Sequence, residues 1–326
     1  MVNKLVLFLV VFLSLNLSSQ TTDWVKSFGG TASDKGISIG TDSLGFIYCS
    51  GYFNNEATFG SITLTNSPLS TSGNNKENFI FKMDSLGNVL WAVAGGDGTG
   101  SCCDDRALGM HVTQGGNVFI TGTFWSSYYI GSCQVQNGPF GTGLNSADNS
   151  LLAKLDKDGN CLWAIGFGAD EGGSGAPCPG GTNDVDDHSF DVKVDNDGFI
   201  YVTGFFAGVS ADFDNLSITN PHWNMDCQPM GYIGKLDPSG NWLWVESFDG
   251  IKDQRGSRDN RLAIDQFSNI YVVGGFQNTG VYGPFSIASN GEWDAFIFKM
   301  DKDGNWLWAE GFGSNKTDRA NGIAID

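Results

Sequence analysis

Polar pairs recur along the chain and are the first candidates for chemistry. They are Asp34-Lys35, Asp105-Arg106, Asp187-His188, Ser257-Arg258 and Asp318-Arg319, each eight residues before the end of a predicted strand. In a ring of repeats these pairs would surround one mouth of the central channel. One hypothesis is a polar ring that binds an anionic or sugar ligand. The alternative, which the periodic recurrence favours, is that ion pairs lock each repeat to its neighbour.

Aromatic residues in the variable connections are the second candidate site. Exposed rings flanked by Ser, Asn and Gly are typical of surfaces that stack on sugars or on peptide side chains. The residues concerned are Trp125, Tyr128, Tyr129, Trp223 and Trp293. Packing of the same rings over the edge of a sheet is the alternative.

Two acidic motifs resemble calcium loops by letter, namely Asp156-Lys-Asp158-Gly159 and Asp301-Lys-Asp303-Gly304. An EF-hand loop places its glycine and its final glutamate further along, so we predict that both motifs are turns. A better cation candidate is the long acidic connection, although a solvated loop is favoured there too; its residues are Asp170, Glu171, Asp184, Asp186 and Asp187. No cofactor is predicted, because Ca²⁺ has no supporting motif.

No catalytic group is predicted. Ser38 lies in a Gly-x-Ser-x-Gly motif, but a serine hydrolase needs a strand-to-helix elbow there and this serine falls inside a predicted strand. The three histidines, His111, His188 and His222, are far apart and show no metal-ligand spacing. An enzyme is therefore not indicated, although carboxylates drawn from several repeats would escape a motif search.

Composition narrows the class of protein. Acidic residues number 36 against 18 basic ones, and the formal net charge of −18 repels phosphate backbones, which excludes nucleic acid as a partner. The 46 glycines together with plentiful aromatics suit many short strands joined by tight turns.

The N-terminus predicts export. Lys4 precedes an apolar run from Leu5 to Leu17, and small residues follow, so residues 1–20 are expected to be a cleaved signal peptide. No later segment is expected to cross a membrane. Seven cysteines permit disulfides in an exported chain. Adjacent Cys102 and Cys103 cannot easily pair with each other, so distant partners such as Cys133 or Cys178 remain open.

Two internal repeats define the architecture. One pattern, Phe-Ile-x-Lys-x-Asp-x-x-Gly-Asn-x-Leu-Trp, occupies residues 79–91, 151–163, 232–244 and 296–308. The other, Asn-Ile-Tyr-Val-x-Gly-x-Phe at its end, occupies residues 42–53, 113–124, 195–206 and 265–276. Alternating apolar residues around an Asp-x-x-Gly turn predict a β-hairpin in each case. Two hairpins give a unit of four strands, which we label a to d.

Four-stranded units in series predict an all-β fold, a β-propeller of four-stranded antiparallel blades. The expected blades are 37–95, 107–168, 188–249 and 260–313, with orphan strands at 24–28 and 320–326. Length varies only in the b-to-c and d-to-a connections, which leave one edge of a blade and therefore place all insertions on one face. Each b-to-c insertion also holds a short alternating stretch, which predicts an additional strand-like flap.

The repeat resembles the bacterial β-propeller repeat often labelled SBBP, over nearly all of the chain after the signal peptide. This resemblance implies an exported protein of Bacteroidetes or related bacteria, often with a surface-sorting domain, and it implies no catalytic residue. The orphan strands give one blade its first and last strands only. We therefore expect the sequence to be a fragment of a longer protein.

Three functional hypotheses remain. The leading one is an exported or cell-surface scaffold that binds glycan, or an extracellular or cell-envelope protein, through the insertion-bearing face. The second is a carbohydrate-active propeller enzyme, a glycosidase or lyase, with carboxylates at the channel mouth. The third is a spacer for another domain.

Overall fold

The computed structural model describes residues 24–66, 76–96, 105–125, 127–136, 148–169, 187–222, 228–249 and 260–326. Every helix or strand in these ranges is a β-strand. None of the described elements is a helix that could span a membrane.

Sixteen of the strands form four antiparallel units of the same design, which we call blades 1 to 4. Blade 1 contains β1 (Lys35–Thr41), β2 (Ile47–Asn54), β5 (Lys76–Met83) and β6 (Val89–Gly96). Blade 2 contains β7 (Arg106–Val112), β8 (Val118–Phe124), β11 (Asn149–Leu155) and β12 (Cys161–Ala169). Blade 3 contains β13 (His188–Val194), β14 (Ile200–Phe206), β17 (Met230–Leu236) and β18 (Trp242–Phe248). Blade 4 contains β19 (Arg261–Ile264), β20 (Ile270–Phe276), β23 (Asp294–Met300) and β24 (Trp306–Phe312).

The blades are arranged around their first strands. Within each blade the strands pair in the order a, b, c, d. The a strands of successive blades contact one another, β1 with β7, β7 with β13 and β13 with β19. This radial order is that of a propeller, and the predicted all-β fold of four-stranded antiparallel blades is confirmed.

A shared hydrogen-bond pattern makes each hairpin turn. In the c-to-d turn of blade 1, Asp84 Oδ1 accepts hydrogen bonds from the backbone amides of Leu86 and Asn88, at 2.9 and 2.8 Å. Gly87 then takes φ 80°, a value that favours glycine. The same aspartate bonds recur at Asp156, Asp237 and Asp301. The repeated Asp-x-x-Gly-Asn is therefore turn chemistry.

Three of the four hydrophobic clusters of the described residues lie between two blades, and the fourth packs blade 1 against residues 24–28. One cluster joins Phe119 and Leu152 of blade 2 to Val202 and Leu236 of blade 3. Equivalent clusters join blade 1 to blade 2 and blade 3 to blade 4. Because full burial of each such side chain contributes about 1.5–3 kcal/mol, stability depends on blades being stacked.

In blades 1 to 3, a tryptophan and a lysine contact the c-to-d turn of the next blade. Trp91 stacks on Gly159 in the c-to-d turn of blade 2, and its indole N–H donates to the Lys157 carbonyl at 3.1 Å. The Lys82 ammonium donates to the same carbonyl at 3.2 Å. Further stacks of the same kind are Trp24 on Gly87, Trp163 on Gly240 and Trp244 on Gly304, and further lysine bonds are Lys154 to the Pro238 carbonyl and Lys235 to that of Lys302.

The predicted flaps are short hairpins inserted between strands b and c. They are β3 (Glu56–Phe59) with β4 (Ile62–Thr65), β9 (Ser127–Ile130) with β10 (Cys133–Gln136), β15 (Ser210–Phe213) with β16 (Leu216–Thr219), and β21 (Thr279–Tyr282) with β22 (Phe285–Ala288). Each reaches back to the previous unit: β9 pairs with β6, and β15 pairs with β12. The Asp249 amide donates to the Val281 carbonyl in the same way. The insertions therefore fasten blades together.

Residues 24–28 and 320–326, expected to be orphan strands, have no strand assignment. A strand needs a ladder of backbone hydrogen bonds, and no described strand lies alongside either segment over its length. Even so, Gly29 bonds to Thr58 of β3 in both directions, and Trp24 stacks on Gly87. Residues 24–30 thus contact blade 1 as a strand d contacts the blade after it.

One disulfide is present in the described residues, between Cys133 and Cys161. It ties the inserted hairpin of blade 2 to the start of strand d in the same blade. Cys133 is therefore not a partner for Cys102 or Cys103, a pairing that the sequence left open. Cys102, Cys103 and Cys178 lie outside the described residues.

The Trp-on-glycine contact gives a test of blade stacking. Gly159→Ala places a methyl group about 3.0 Å from the Trp91 ring at φ 86°, whereas Gly45→Ala, at φ 81°, meets nothing within 4 Å. Both variants carry the same backbone strain, about 1 kcal/mol, so the difference reports the contact between blades. We expect Gly159→Ala to lower the melting temperature at least twice as much in thermal unfolding. Equal losses would contradict a stabilising role for the tryptophan.

Candidate functional site

One of the aspartates predicted at the channel mouth, Asp187, joins three strands. Asp187 Oδ1 accepts a hydrogen bond from the Ala207 amide at 2.8 Å, and Oδ2 accepts one from the Ala169 amide. The Asp187 amide donates to the Asp148 carbonyl at 2.8 Å. Ala169 ends strand d of blade 2, Asp148 precedes strand c of that blade, and Ala207 follows strand b of blade 3. Asp187 therefore links two blades. We call an aspartate that binds backbone amides in this way an aspartate clasp.

The same clasp recurs with fixed spacing. Asp34 accepts hydrogen bonds from the Gly30 and Asn54 amides, and Asp105 accepts one from the Trp125 amide at 3.0 Å. In all three clasps, the strand b amide comes from the residue 20 positions after the aspartate. Asp318 accepts from the Ser314 amide, and its own amide donates to the Trp293 carbonyl. These aspartates therefore link neighbouring units by accepting hydrogen bonds from backbone amides.

The cationic members of the pairs have different surroundings. Lys35 is exposed, and Arg106 is half-buried. His188 Nε2 lies 4.0 Å from the Asp148 carboxylate, and its ring contacts Phe205. The Arg319 guanidinium lies over the Trp293 ring at 4.5 Å. Ser257 and Arg258 lie outside the described residues.

The clasp gives a second test. Asp187→Ala removes the acceptor for two buried backbone amides, and each unsatisfied donor costs about 1–3 kcal/mol. We expect a loss of about 3 kcal/mol in the free energy of unfolding, measured with chemical denaturant.

The control is Asp158→Ala. Asp158 pairs only with Lys157 among the ion pairs of the described residues, and both side chains are mostly exposed. A solvent-exposed pair contributes about 0–1 kcal/mol, so this variant should stay close to the parent protein. If the two variants are equally stable, the aspartate clasp does not hold blades together.

Two of the five candidate aromatics are buried. Tyr128 is fully buried, and its hydroxyl accepts a hydrogen bond from Asn78 Nδ2 at 3.1 Å. Trp293 is buried under Arg319. Packing over the blade edge therefore accounts for both rings. Trp125 is half-buried, and Tyr129 is exposed, with its hydroxyl bonded to Gln134 Nε2 at 2.8 Å. Trp223 lies outside the described residues.

A cavity of about 250 Å³ lies on the axis, where the a strands meet. Its lining comes from all four blades and from the C-terminal segment: Ile37, Ser38, Leu108, Gly109, Asp191, Lys193, Arg261, Asn321, Gly322 and Ile323. Ser38 is thus a strand residue of the channel wall. The charges on the wall compensate one another, because the Lys193 ammonium lies 2.5 Å from Asp191 Oδ1. Arg261 Nη1 donates to the Phe190 carbonyl at 2.7 Å.

His111 lies in β7 and is held neutral. Burial, with a smaller contribution from the charge of Lys193, lowers the pKa of His111 to about 4. An unfolded histidine has a pKa of about 6.5, so protonation favours the unfolded chain. The contribution of this group to stability is complete above pH 6.5 or so and is lost as the pH falls toward 4.

His111→Gln tests this assignment. We expect the free energy of unfolding of the parent protein to fall by about 2–3 kcal/mol more than that of the variant between about pH 7 and pH 4. Parallel curves for the two proteins would show that His111 is not held neutral by the fold.

Both acidic motifs form turns. Asp156 Oδ1 accepts hydrogen bonds from the Asp158 and Asn160 amides, both at 2.9 Å, and Oδ2 accepts one from the Asn160 side chain. Desolvation is the largest single influence on the pKa of Asp156 and raises it. The hydrogen bonds together outweigh desolvation, so the pKa of Asp156 lies below its usual value. The described residues contain no group of His, Cys, Asp and Glu that could hold a metal ion. Asp170, Glu171, Asp184 and Asp186 lie outside the described residues.

The repeated blades and the axial cavity define the class, which is a repeat-built, propeller-like all-β protein. Over an alignment of 334 positions that covers 89% of the chain, the sequence is 25% identical to a protein of Acanthamoeba polyphaga mimivirus described as "Uncharacterized WD repeat-containing protein L264". The chain spans 23% of the length of that relative. No family model matches the chain, so the resemblance to the SBBP-type repeat stays a prediction.

One solved structure, of a protein of unknown function from Bacteroides caccae, covers 86% of this chain and 82% of its own. Its TM-score of 0.35 and sequence identity of 10% are too low to carry an argument.

Sequence reasoning did not predict the residues that hold the blades together. In the sequence, the lysine and the tryptophan of the first repeat pattern indicate only that the pattern is periodic. In the structure, both side chains donate hydrogen bonds to the turn of the next blade. Their invariance across all four copies of the repeat was the available signal. A tyrosine or threonine would serve a solvent-facing strand equally well, so four identical lysines indicate a fixed partner.

Proposed function

We propose that the protein is an exported, non-enzymatic scaffold that binds a partner protein through its insertion-bearing face. The observation that carries this proposal is the contrast between the two faces. One face consists of equivalent short turns, six of which read Asp-x-x-Gly in the eight hairpins, whereas every b-to-c and d-to-a connection of differing length leaves from the other face. Variable connections on a rigid frame are the usual place for recognition.

The frame beneath that face is rigid. The inserted hairpins pair with the preceding blade, and the aspartate clasps fix both ends of each connection. A loop whose two ends are fixed loses less conformational entropy on binding than a free loop does, which favours affinity.

A protein partner is favoured over a glycan. Of the described candidate aromatics, Tyr128 and Trp293 are buried, so few rings remain for stacking on sugars. The mimivirus relative is described as a WD repeat-containing protein, and repeat scaffolds bind partners over extended surfaces. The net charge of −18 favours a basic partner, whose approach would be accelerated electrostatically.

The carbohydrate-active alternative has less support. A glycosidase needs two carboxylates that face the sugar, about 5–10 Å apart. The described aspartates at the mouth, Asp34, Asp105 and Asp187, direct their oxygens at backbone amides instead.

Export is supported by two observations. The predicted signal peptide over residues 1–20 is one, and the disulfide between Cys133 and Cys161 is the other. Disulfides persist mainly in oxidising compartments. We propose a location outside the cell, either free or at the outer surface.

A binding screen with matched variants tests the function. The purified chain is tested against a panel of basic and acidic extracellular and cell-envelope proteins, and against a glycan array. We expect at least one basic protein to bind, with affinity falling as salt is raised. Tyr129→Ala and Trp125→Ala, on the insertion-bearing face, should weaken binding about tenfold each.

The control is Leu86→Ala. Leu86 is exposed on the opposite face, in the c-to-d turn of blade 1, and its replacement should leave binding unchanged. A partner lost with Leu86 but retained without Tyr129 would place recognition on the wrong face. No protein bound across the panel would refute the proposal.

A further inference from the structure

The first residue of strand d differs in size from blade to blade. In blade 3 it is Trp242, whose ring centroid lies 4.9 Å from that of Phe167 in blade 2 and 4.9 Å from that of Phe213 in its own inserted hairpin. In blade 4 it is Trp306, and in blade 1 it is Val89. Because valine is much smaller than tryptophan, the space between the hairpin and the preceding unit is filled less completely in blade 1.

The residue that faces this position from the preceding unit also differs. It follows a tryptophan by two positions and is Lys26, Val93, Ile165 and Glu246 ahead of blades 1 to 4. Ile165 packs in the same cluster as Trp242, and Val93 packs in the corresponding cluster of blades 1 and 2. Glu246 accepts a hydrogen bond from the tryptophan of blade 4. Ahead of blade 1, by contrast, an exposed lysine faces a small apolar residue.

A cavity of about 750 Å³ lies at this position of blade 1. Both Lys26 and Val89 line it, together with the tip of the inserted hairpin and the c-to-d turn. The chain that forms its other wall is held at two points, because Trp24 stacks on Gly87 and residue 29 bonds to the hairpin in both directions. The volume is in the range of about 300–1,000 Å³ that small-molecule sites have.

Hydrogen-bonding groups line this cavity. The Lys26 side chain and the hydroxyl-bearing side chains of Ser27 and Ser61 are exposed on its wall, and none of the three has a hydrogen-bond partner among the described residues. Asp34 also lies on the wall, but its two carboxylate oxygens accept hydrogen bonds from backbone amides. The groups that remain for a ligand are therefore an ammonium and two hydroxyls.

These groups and the charge of the protein narrow the class of ligand. An apolar ligand would leave the ammonium and the hydroxyls without partners, which opposes binding. The formal net charge of −18 repels an anion, and the Lys26 ammonium repels a cation. A neutral molecule with many hydroxyl groups meets neither obstacle, because each hydroxyl both donates and accepts hydrogen bonds.

We infer that this cavity, on the outer rim of blade 1, binds a neutral oligosaccharide. Lys26 donates hydrogen bonds to sugar hydroxyls, and Ser27 and Ser61 exchange hydrogen bonds with them. Phe28 lines the same cavity and supplies an aromatic side chain for the C–H groups of a sugar ring. The lining does not include Tyr129, which tests the proposed protein partner, so this inference does not rest on that proposal.

A calorimetric titration of the purified full chain tests the inference. The probes are short gluco-, manno- and xylo-oligosaccharides, with oligogalacturonides as acidic counterparts. We expect at least one neutral probe to bind at one to one, and the acidic probes to bind more weakly. Lys26→Ala and Ser61→Ala should each weaken the binding of the neutral probe about fivefold to tenfold, because each removes hydrogen bonds to the ligand.

A filling variant and a matched control locate the binding. Val89→Trp places in the cavity the side chain that blades 3 and 4 have at this position, so it should abolish binding. Lys35→Ala removes an exposed lysine that does not line the cavity and should leave binding unchanged. Because Lys26 and Ser61 are exposed, their variants test the site even if Val89→Trp does not fold.

Three results would overturn the inference. The first is that no neutral probe binds. The second is binding that Lys26→Ala, Ser61→Ala and Val89→Trp all leave unchanged, because the site would then lie elsewhere. The third is tighter binding of the oligogalacturonides, because the ligand would then be an anion. A protein partner that depends on Tyr129 should still bind to Val89→Trp, so a failure of this inference is distinguishable from a failure of the proposed function.

Discussion

Stacking of one blade on the next is the interaction on which the rest of this structure depends. Each blade is a single sheet with apolar residues on both faces, so it has no core of its own. The side chains are buried only when a neighbouring sheet covers them. Stability in such a protein is the sum of the interfaces between adjacent units. The repeated lysine, tryptophan and apolar residues are best explained by their part in that interface.

The interface is built from three layers that differ in chemistry. Near one face, the tryptophan and the lysine donate hydrogen bonds to the turn of the next blade. In the middle, aromatic and aliphatic residues pack against one another. At the other face, an aspartate accepts hydrogen bonds from the backbone amides of two blades. Apolar packing is not directional, whereas the two hydrogen-bonded layers fix the register and the angle between blades. The turns on one face are therefore held by contacts between blades, whereas the connections on the other face can differ in length.

The blades were predictable from the sequence because they are local. A hairpin needs only alternating residues and an Asp-x-x-Gly turn, and both are visible in the letters, as at Asp84 and Gly87. The role of Asp187 was not predictable in the same way, because its acceptor bonds join residues 18 and 20 positions away in opposite directions. A polar residue at a channel mouth has the same sequence signature whether it faces a ligand or a neighbouring amide. Tyr128 shows the same limit, since only packing decides that its ring is buried.

The same logic explains why composition alone does not determine which apolar residues are buried. Ile39 and Met110 are equally apolar at equivalent positions, and they differ in burial only because one has a blade in front of it. In a repeat fold, each equivalent position acts as a control for the others. An apolar residue that is exposed at one position while its counterparts are buried therefore differs from them in its neighbours and not in its own chemistry. Isolated exposed residues such as Leu162 fail this comparison, because Leu90, Leu243 and Leu307 are exposed in the same way. The comparison thus separates the effect of a neighbouring blade on exposure from the outward position that the equivalent residues of all four blades share.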